Sequence, residues 1–236
     1  LVFWNKATNS TCGVLLDSSD NNLVDGNVVT NNAEIGIRVQ WSRNNVVSHN
    51  TARNNGLATI AGGDFAGVSL VDSPNSTVSE NTVVNNKFHG IHLGGCENSV
   101  VSGNVMSGNK YNFVVYQTTY SWSQHAYILP AWGNGLNITV DLANIADGKP
   151  IYYIKNSANL VLDSSTNAAT IYVINSTNIT IRDLNLAKNG YGLYFWNTSN
   201  SRIQNVTVAN NLYGISLDGS QGNILSCLLY TSPSPR

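Results

Sequence analysis

Glycine recurs along this chain at intervals close to 22 residues, each time opening the same short pattern of apolar residues and asparagines. With position zero at Gly13, Gly36, Gly67, Gly90, Asn112, Gly148, Thr170, Gly192 and Gly214, the intervals are 23, 31, 23, 22, 36, 22, 22 and 22 residues. Place eight holds Asn21, Asn44, Asn75, Asn98, Asn156, Asn178 and Asn200, and place nineteen holds Asn32, Asn55, Asn86, Asn109, Asn189 and Asn211. A period of this length constrains the fold more than local propensity does. One unit cannot bury its own apolar face, so it must stack on its neighbours.

The residues after position zero set the geometry of each unit. Val14, Ile37, Val68, Ile91, Leu193 and Ile215 stand at place one, and Leu16, Val39, Leu70, Leu93, Phe195 and Leu217 at place three. The residues between them vary freely, as on a half-buried strand whose successive side chains point to opposite faces. A second short strand follows, marked by Val24, Val47, Val78 and Val101 at place eleven. Leucine-rich repeats would show several Leu per unit, and helical repeats a 3.6-residue period; neither is present. The expected fold is therefore all-β, a single-stranded right-handed parallel β-helix (a solenoid) of about nine turns of roughly 22 residues. The position-zero glycines fit corners needing positive φ. The recurrent asparagines are expected to stack as hydrogen-bonded ladders.

The pattern predicts one continuous solenoid over residues 1–226. The last ten residues, CLLYTSPSPR (227–236), leave the pattern in mid-turn and read as a non-native tail, translated adapter sequence. The chain begins at Leu1 without Met and reads as part of a longer protein.

At this point the chain resembles a known group. The NN-x-x-x-x-N and G-I-x-L pattern is similar to the parallel β-helix repeats of NosD-like proteins and of carbohydrate-binding and sugar-hydrolase (CASH) domains. The segment Asp147-Gly148-Lys149-Pro150-Ile151-Tyr152-Tyr153 resembles an element of archaeal cell-surface members. The resemblance implies an extracellular, cell-surface or periplasmic location. It covers lyases, epimerases, copper-site maturation proteins and scaffolds alike, so it speaks for fold more than for activity.

Composition narrows the partners. Net charge is -1, only 11% of residues are charged, and Asn occurs 36 times, so no basic surface for nucleic acid or anionic lipid is expected. No apolar run reaches the roughly 20 residues of a membrane span. The seven N-x-S/T sequons, against about six expected by chance in so Asn-rich a chain, carry no weight. Cys12, Cys96 and Cys227 are too scattered for a disulfide framework or a zinc site.

Solenoids carry function on insertions. The 31-residue turn adds about nine residues at about 56–66, and the 36-residue turn adds about fourteen at about 118–135. These flank opposite edges of one sheet. Its outward positions include Ser69, His92 and Tyr116, and the loops add Asp64, Tyr120, Trp122, His125 and Trp132. A neutral floor with aromatic walls suits sugar rings, which stack on Tyr and Trp. The alternative is that these aromatics fold down and seal the loop onto the column.

Catalysis on sugar polymers needs paired carboxylates or a tuned base. No two carboxylates near the trough share a stripe on adjacent turns, and the D-P-H of mannuronan epimerases and R-x-P-x-x-R of pectate lyases are absent. His89 and His92, three apart, are expected on opposite faces of their strand. Copper would want clustered His, Met or Cys and calcium stacked carboxylates, so no metal and no cofactor are expected. Cys96 reads as a small corner residue. The sequence thus points to a non-enzymatic cell-envelope or extracellular scaffold with carbohydrate, such as an envelope glycan, as partner. The alternatives are a polysaccharide lyase, hydrolase or epimerase and, more remotely, a NosD-like periplasmic copper-site accessory protein.

Overall fold

In a computed structural model of the chain, the alternating apolar residues pair turn upon turn in parallel strands. The structure describes residues 1–57, 65–117, 119–121, 126–128 and 134–231, the side chains of 119–121, 126–128, 230 and 231 excepted. The chain divides into two compact units, Leu1–Asn144 and Ile145–Arg236. Each unit is a β-solenoid, and the repeats of the chain number about nine turns of about 22 residues.

The first unit wraps three parallel sheets around its axis. The first sheet stacks Cys12–Asp17, Ile35–Gln40, Ala66–Val71, His89–Gly94 and Tyr111–Tyr116. The second stacks Val2–Phe3, Leu23–Asp25, Val46–Ser48, Thr77–Ser79, Val100–Ser102 and Thr139–Val140. The third includes Lys6–Thr8, Val28–Thr30, Thr51–Arg53, Thr82–Val84 and Val105–Ser107. Register follows the repeat: Val39 opposes Leu70, Leu70 opposes Leu93, and Leu93 opposes Val115. These side chains, with Val24, Val47, Val78 and Val101 of the second sheet and Val29, Ala52, Val83 and Met106 of the third, form a buried column. Each fully buried side chain is worth about 1.5–3 kcal/mol, which a single turn could not collect alone.

Asparagine does two distinct jobs. On the outside, Asn21, Asn44, Asn75 and Asn98 turn corners in the left-handed region, with φ between 55° and 59°, a conformation in which Asn is among the few residues tolerated. On the inside, two amide columns run along the axis. Asn27, Asn50, Asn81 and Asn104 each donate from Nδ2 to the Oδ1 one turn on, ending at Asn144. Asn32, Asn55 and Asn86 do the same as far as Asn109, whose Nδ2 donates to the Oδ1 of Asn112, three residues on. Each Oδ1 also accepts a backbone N–H, and each Nδ2 also reaches back to a carbonyl of the preceding turn; Asn50 Nδ2 to Val24 O at 2.9 Å is one case. One side chain thereby ties three turns together.

The position-zero glycines have a different cause from the one their spacing suggests. None of Gly13, Gly36, Gly67, Gly90 and Gly192 has positive φ. A Cβ there would lie 2.6 Å from Gly36 O in the case of Gly13 and 2.4 Å from Asn112 O in the case of Gly90. Close approach between turns, not φ, excludes a side chain.

In the second unit, Lys149–Lys155, Thr170–Ile174, Tyr191–Trp196 and Tyr213–Asp218 form one parallel sheet. Val161–Leu162, Thr180–Ala187, Arg202–Ala209 and Ile224–Ser226 form another, and Leu229–Thr231 pairs on Arg202–Ala209. Ile171, Val173, Leu193, Phe195, Ile181 and Ile203 fill the space between. Gly148 is not a solenoid corner. With Asp147 (φ 47°) it makes a two-residue turn (φ 79°) between Ile145–Ala146 and Lys149–Pro150, which pair antiparallel, the turn type that Asp-Gly favours. The solenoid position aligned with Thr170 is Ile151, and Asn159, not Asn156, lies beside Asn178. Among the described residues no helix is long and apolar enough to cross a membrane.

Candidate functional site

The strand stack around Gly90 fixes where the sequence-derived candidates stand. Ser69, His92 and Val114 are register partners on adjacent turns, as are Val71, Gly94 and Tyr116. Ser69 Oγ and His92 Nδ1 lie 3.0 Å apart. The His92 ring meets the Tyr116 ring edge-on at 5.5 Å. The structure thus brings Ser69, His92 and Tyr116 together. Ser69 is 1% exposed and His92 4%, so they form a buried floor; Tyr116 is half-buried. Tyr120 lies in Thr119–Ser121, which pairs antiparallel with Ala126–Ile128. Asp64, Trp122, His125 and Trp132 lie outside the described residues.

His89 departs from expectation. It stacks on His92 with ring centroids 5.4 Å apart and planes 18° from parallel, on the same face and not the opposite one. The strand's regular alternation begins only after Gly90, so the residue before it is out of phase. His89 is fully buried against Phe88 (4.3 Å) and Tyr111 (5.8 Å), and among the described residues neither ring nitrogen has a hydrogen-bond partner. Burial, then the neighbouring His92 and Lys110, holds its pKa well below the ordinary value, so the ring is neutral at pH 7. Lys110 Nζ sits 5.1 Å from the Phe88 ring centre and 5.3 Å from that of Tyr111, within cation–π range.

Two groupings escaped the sequence reading. In the second unit Tyr153, Tyr172 and Tyr194 are register partners on successive turns, and Tyr191 pairs with Tyr213. Tyr191 stacks on Tyr194 at 4.6 Å and on Tyr213 at 5.0 Å, with Tyr213 46% exposed. The tyrosines fall before and after position zero, so scanning one place at a time does not collect them.

The other grouping joins three turns of the first unit. His49 Nδ1 lies 2.7 Å from Asp25 Oδ1, and His49 Nε2 lies 3.1 Å from Glu80 Oε2; Ser48 Oγ also donates to Asp25 at 2.7 Å. Indexing places twelve (Asp25, Ser48) and thirteen (His49, Glu80) together would have shown it. The bond to Asp25 raises the His49 pKa above its ordinary 6.5, and bonds from Ser48 and His49 lower that of Asp25 below 3.8. A raised histidine pKa gives a contribution that is full below 6.5 and lost as pH rises through the raised value. A lowered aspartate pKa gives one present above 3.8 and lost as pH falls through the lowered value. The pair therefore acts in the window between those two values. In an NMR titration His49 is expected to show a midpoint above 6.5, moving down in Asp25→Asn; an unmoved midpoint would contradict the pairing.

With the fold described, comparison with known proteins is informative. A family model described as periplasmic copper-binding protein (NosD) matches residues 1–137 and 133–227. The chain belongs to the NosD family. No curated protein sequence matches it. Among solved structures, the periplasmic alginate epimerase AlgG is similar at 16% identity and a TM-score of 0.45, covering 96% of this chain and 49% of that one. The catalytic domain of a GH87 α-1,3-glucanase is similar at 14% identity and a TM-score of 0.31, covering 98% and 47%. The tailspike protein 2 enzymatically active domain of Bacteriophage CBA120 is similar at 14% and 0.36, covering 86% and 26%. This NosD-family chain spans about half the length of the first two.

The family description raises the question of copper. Among the described residues no group of three or more His, Cys, Asp or Glu could hold a metal ion. His89 and His92 stack and find no third donor. Cys96 is fully buried, its Sγ lies 3.4 Å from both Leu70 O and Gly94 O, and burial pushes its pKa up to about 12. Copper prefers clustered imidazole, thiolate or thioether donors, and these residues do not supply such a set.

Proposed function

We propose that this chain is a non-enzymatic scaffold of the cell envelope or extracellular space that binds carbohydrate through aromatic rings on the outward face of its strand stack. The observation that carries the reading is the ring cluster of Phe88, His89, His92, Tyr111 and Tyr116, in which neighbouring rings lie 4.3–5.8 Å apart. Its half-buried members, Phe88, Tyr111 and Tyr116, offer apolar ring surface at the rim, to which the C–H face of a pyranose can dock. The two histidines beneath are buried and form a floor. A buried floor under partly exposed ring edges suits a binding surface. Tyr120, Trp122, His125, Trp132 and Asp64 are proposed, from the sequence, as further ligand-binding residues. The family description, periplasmic, supports an envelope location.

Glycan-array binding tests the reading. Wild type is expected to retain a glycan that Tyr116→Ala and Trp132→Ala each bind about tenfold less tightly. Equal binding by all three, or none by wild type, would sink it.

One observation favours a second reading, a polysaccharide lyase, hydrolase or epimerase. The Asp25–His49–Glu80 array sets an imidazole between two carboxylates on neighbouring turns, at an exposed corner. Release of unsaturated or reducing ends from a uronate polymer, lost in His49→Ala, would establish that reading in place of the first.

A further inference from the structure

A corner of the first unit opens into a shallow groove of about 650 Å³ that the aromatic reading does not use. Asn31, Asn54 and Asn85 line it, one per turn, all exposed and all in the left-handed region (φ 58°, 56° and 56°). Lys87 and Lys110 follow one turn apart, and Leu57 and Gly108 complete the exposed wall. The two lysines are the only charged residues that line it among those described.

The side-chain amides of this column are unspent. On other exposed corners the amides bond to one another: Asn44 Nδ2 to Asn21 Oδ1 at 3.2 Å, Asn137 Nδ2 to Asn98 Oδ1 at 2.9 Å, Asn197 Nδ2 to Asn175 Oδ1 at 2.9 Å. Among the described residues the side chains of Asn31, Asn54 and Asn85 make no such bond, leaving donors and acceptors for a ligand. They repeat at the rise of one turn, roughly 4.8 Å, close to the length of one sugar residue in an extended polymer. Lys110 also lies over the Phe88 and Tyr111 rings, so the groove is continuous with the edge of the aromatic cluster.

From these observations we infer that the groove binds an acidic polysaccharide. Its carboxylates pair with Lys87 and Lys110, and its hydroxyls bond the amides of Asn31, Asn54 and Asn85. The inference rests on the carbohydrate reading and specifies the charge of the ligand. Two lysines in a chain of net charge -1 are too few for a nucleic-acid footprint, whereas interspersed amides, an exposed Leu57 and ring edges suit a sugar chain.

The test is affinity electrophoresis and calorimetry with polygalacturonate and alginate, each against its esterified, uncharged form. Wild type is expected to bind one of the acidic polymers about tenfold more tightly than its ester, with affinity falling as salt rises. Lys87→Gln/Lys110→Gln, both exposed sites, is expected to lose that tenfold and the salt dependence while its binding to the ester stays unchanged. Asn54→Gly, which keeps the corner's φ available, is expected to weaken both forms a few-fold. Circular dichroism identical to wild type would confirm that the variants fold. Equal affinity for acid and ester, an unaffected double variant, or duplex DNA bound as tightly as the acidic polymer would each overturn the acidic-glycan assignment. Binding to an ester that still depends on Tyr116 would leave the carbohydrate reading standing alone, and no binding to any polymer would remove both.

Discussion

Asn81→Ala is expected to destabilise the first unit by about 4 kcal/mol, because Asn81 is a buried member of the inner amide column. Its Oδ1 accepts both the backbone N–H and the Nδ2 of Asn50, at 2.9 and 3.0 Å. Its Nδ2 donates to Asn104 Oδ1 and to Val47 O, each at 2.9 Å. Alanine would remove all four bonds from a buried column, leaving Asn50 Nδ2 only Val24 O and Asn104 Oδ1 only the backbone N–H of residue 81, at about 1 kcal/mol or more for each bond lost. Urea denaturation followed by circular dichroism reads the effect. Asn85→Gly, four residues on but exposed and at positive φ, is the control and is expected to change stability by less than about 1 kcal/mol. Similar midpoints for the two variants would mean that the inner column is not what holds adjacent turns together.

The second large effect is Gly90→Ala. A Cβ there would lie 2.4 Å from Asn112 O and 2.8 Å from Asn109 Nδ2. The first contact is with backbone of the next turn and the second with a ladder amide, so neither can move without breaking strand pairing or the column. The expected loss is about 3 kcal/mol or more, as for overpacking with no room to relax. Gly148→Ala meets nothing within 4 Å and should cost only the strain of its φ of 79°. A comparison of the two variants separates steric exclusion from backbone preference. Were Gly90→Ala as mild as Gly148→Ala, the close-packing account of the position-zero glycines would fail.

The fold was legible from the sequence because a parallel β-helix repeats what one turn needs. Ile37, Val68 and Ile91 point inward for the same reason, and Asn32, Asn55 and Asn86 close the same corner. The site was less legible because it depends on contacts between turns. Periodicity says which way a side chain points within its strand and is silent about what lies one turn away at a corner. Asp25, His49 and Glu80 are distant in sequence and meet only through register. His89 was misplaced because the alternation that assigns faces does not extend back through Gly90. Gly148 was miscounted because a hairpin glycine and a stacking glycine are the same letter.

The inner asparagine columns also give the first unit a polar axis. All amides in both columns point the same way, with oxygens toward the turn of Asn5 and Ser10, whose backbone N–H groups they accept, and N–H groups toward the turn of Asn144. Aligned amides add head to tail, and bonds in such a chain polarise one another. The positive end of one column is met by an anion: Asn144 Nδ2 donates to the Asp141 carboxylate at 2.9 Å, much as an acidic side chain answers a helix N-terminus. The other column ends at Asn112, whose Nδ2 is buried and has no hydrogen-bond partner among the described residues. The donor ends of the two parallel columns are thus finished unequally, and the stack is electrically closed along one edge and open along the other.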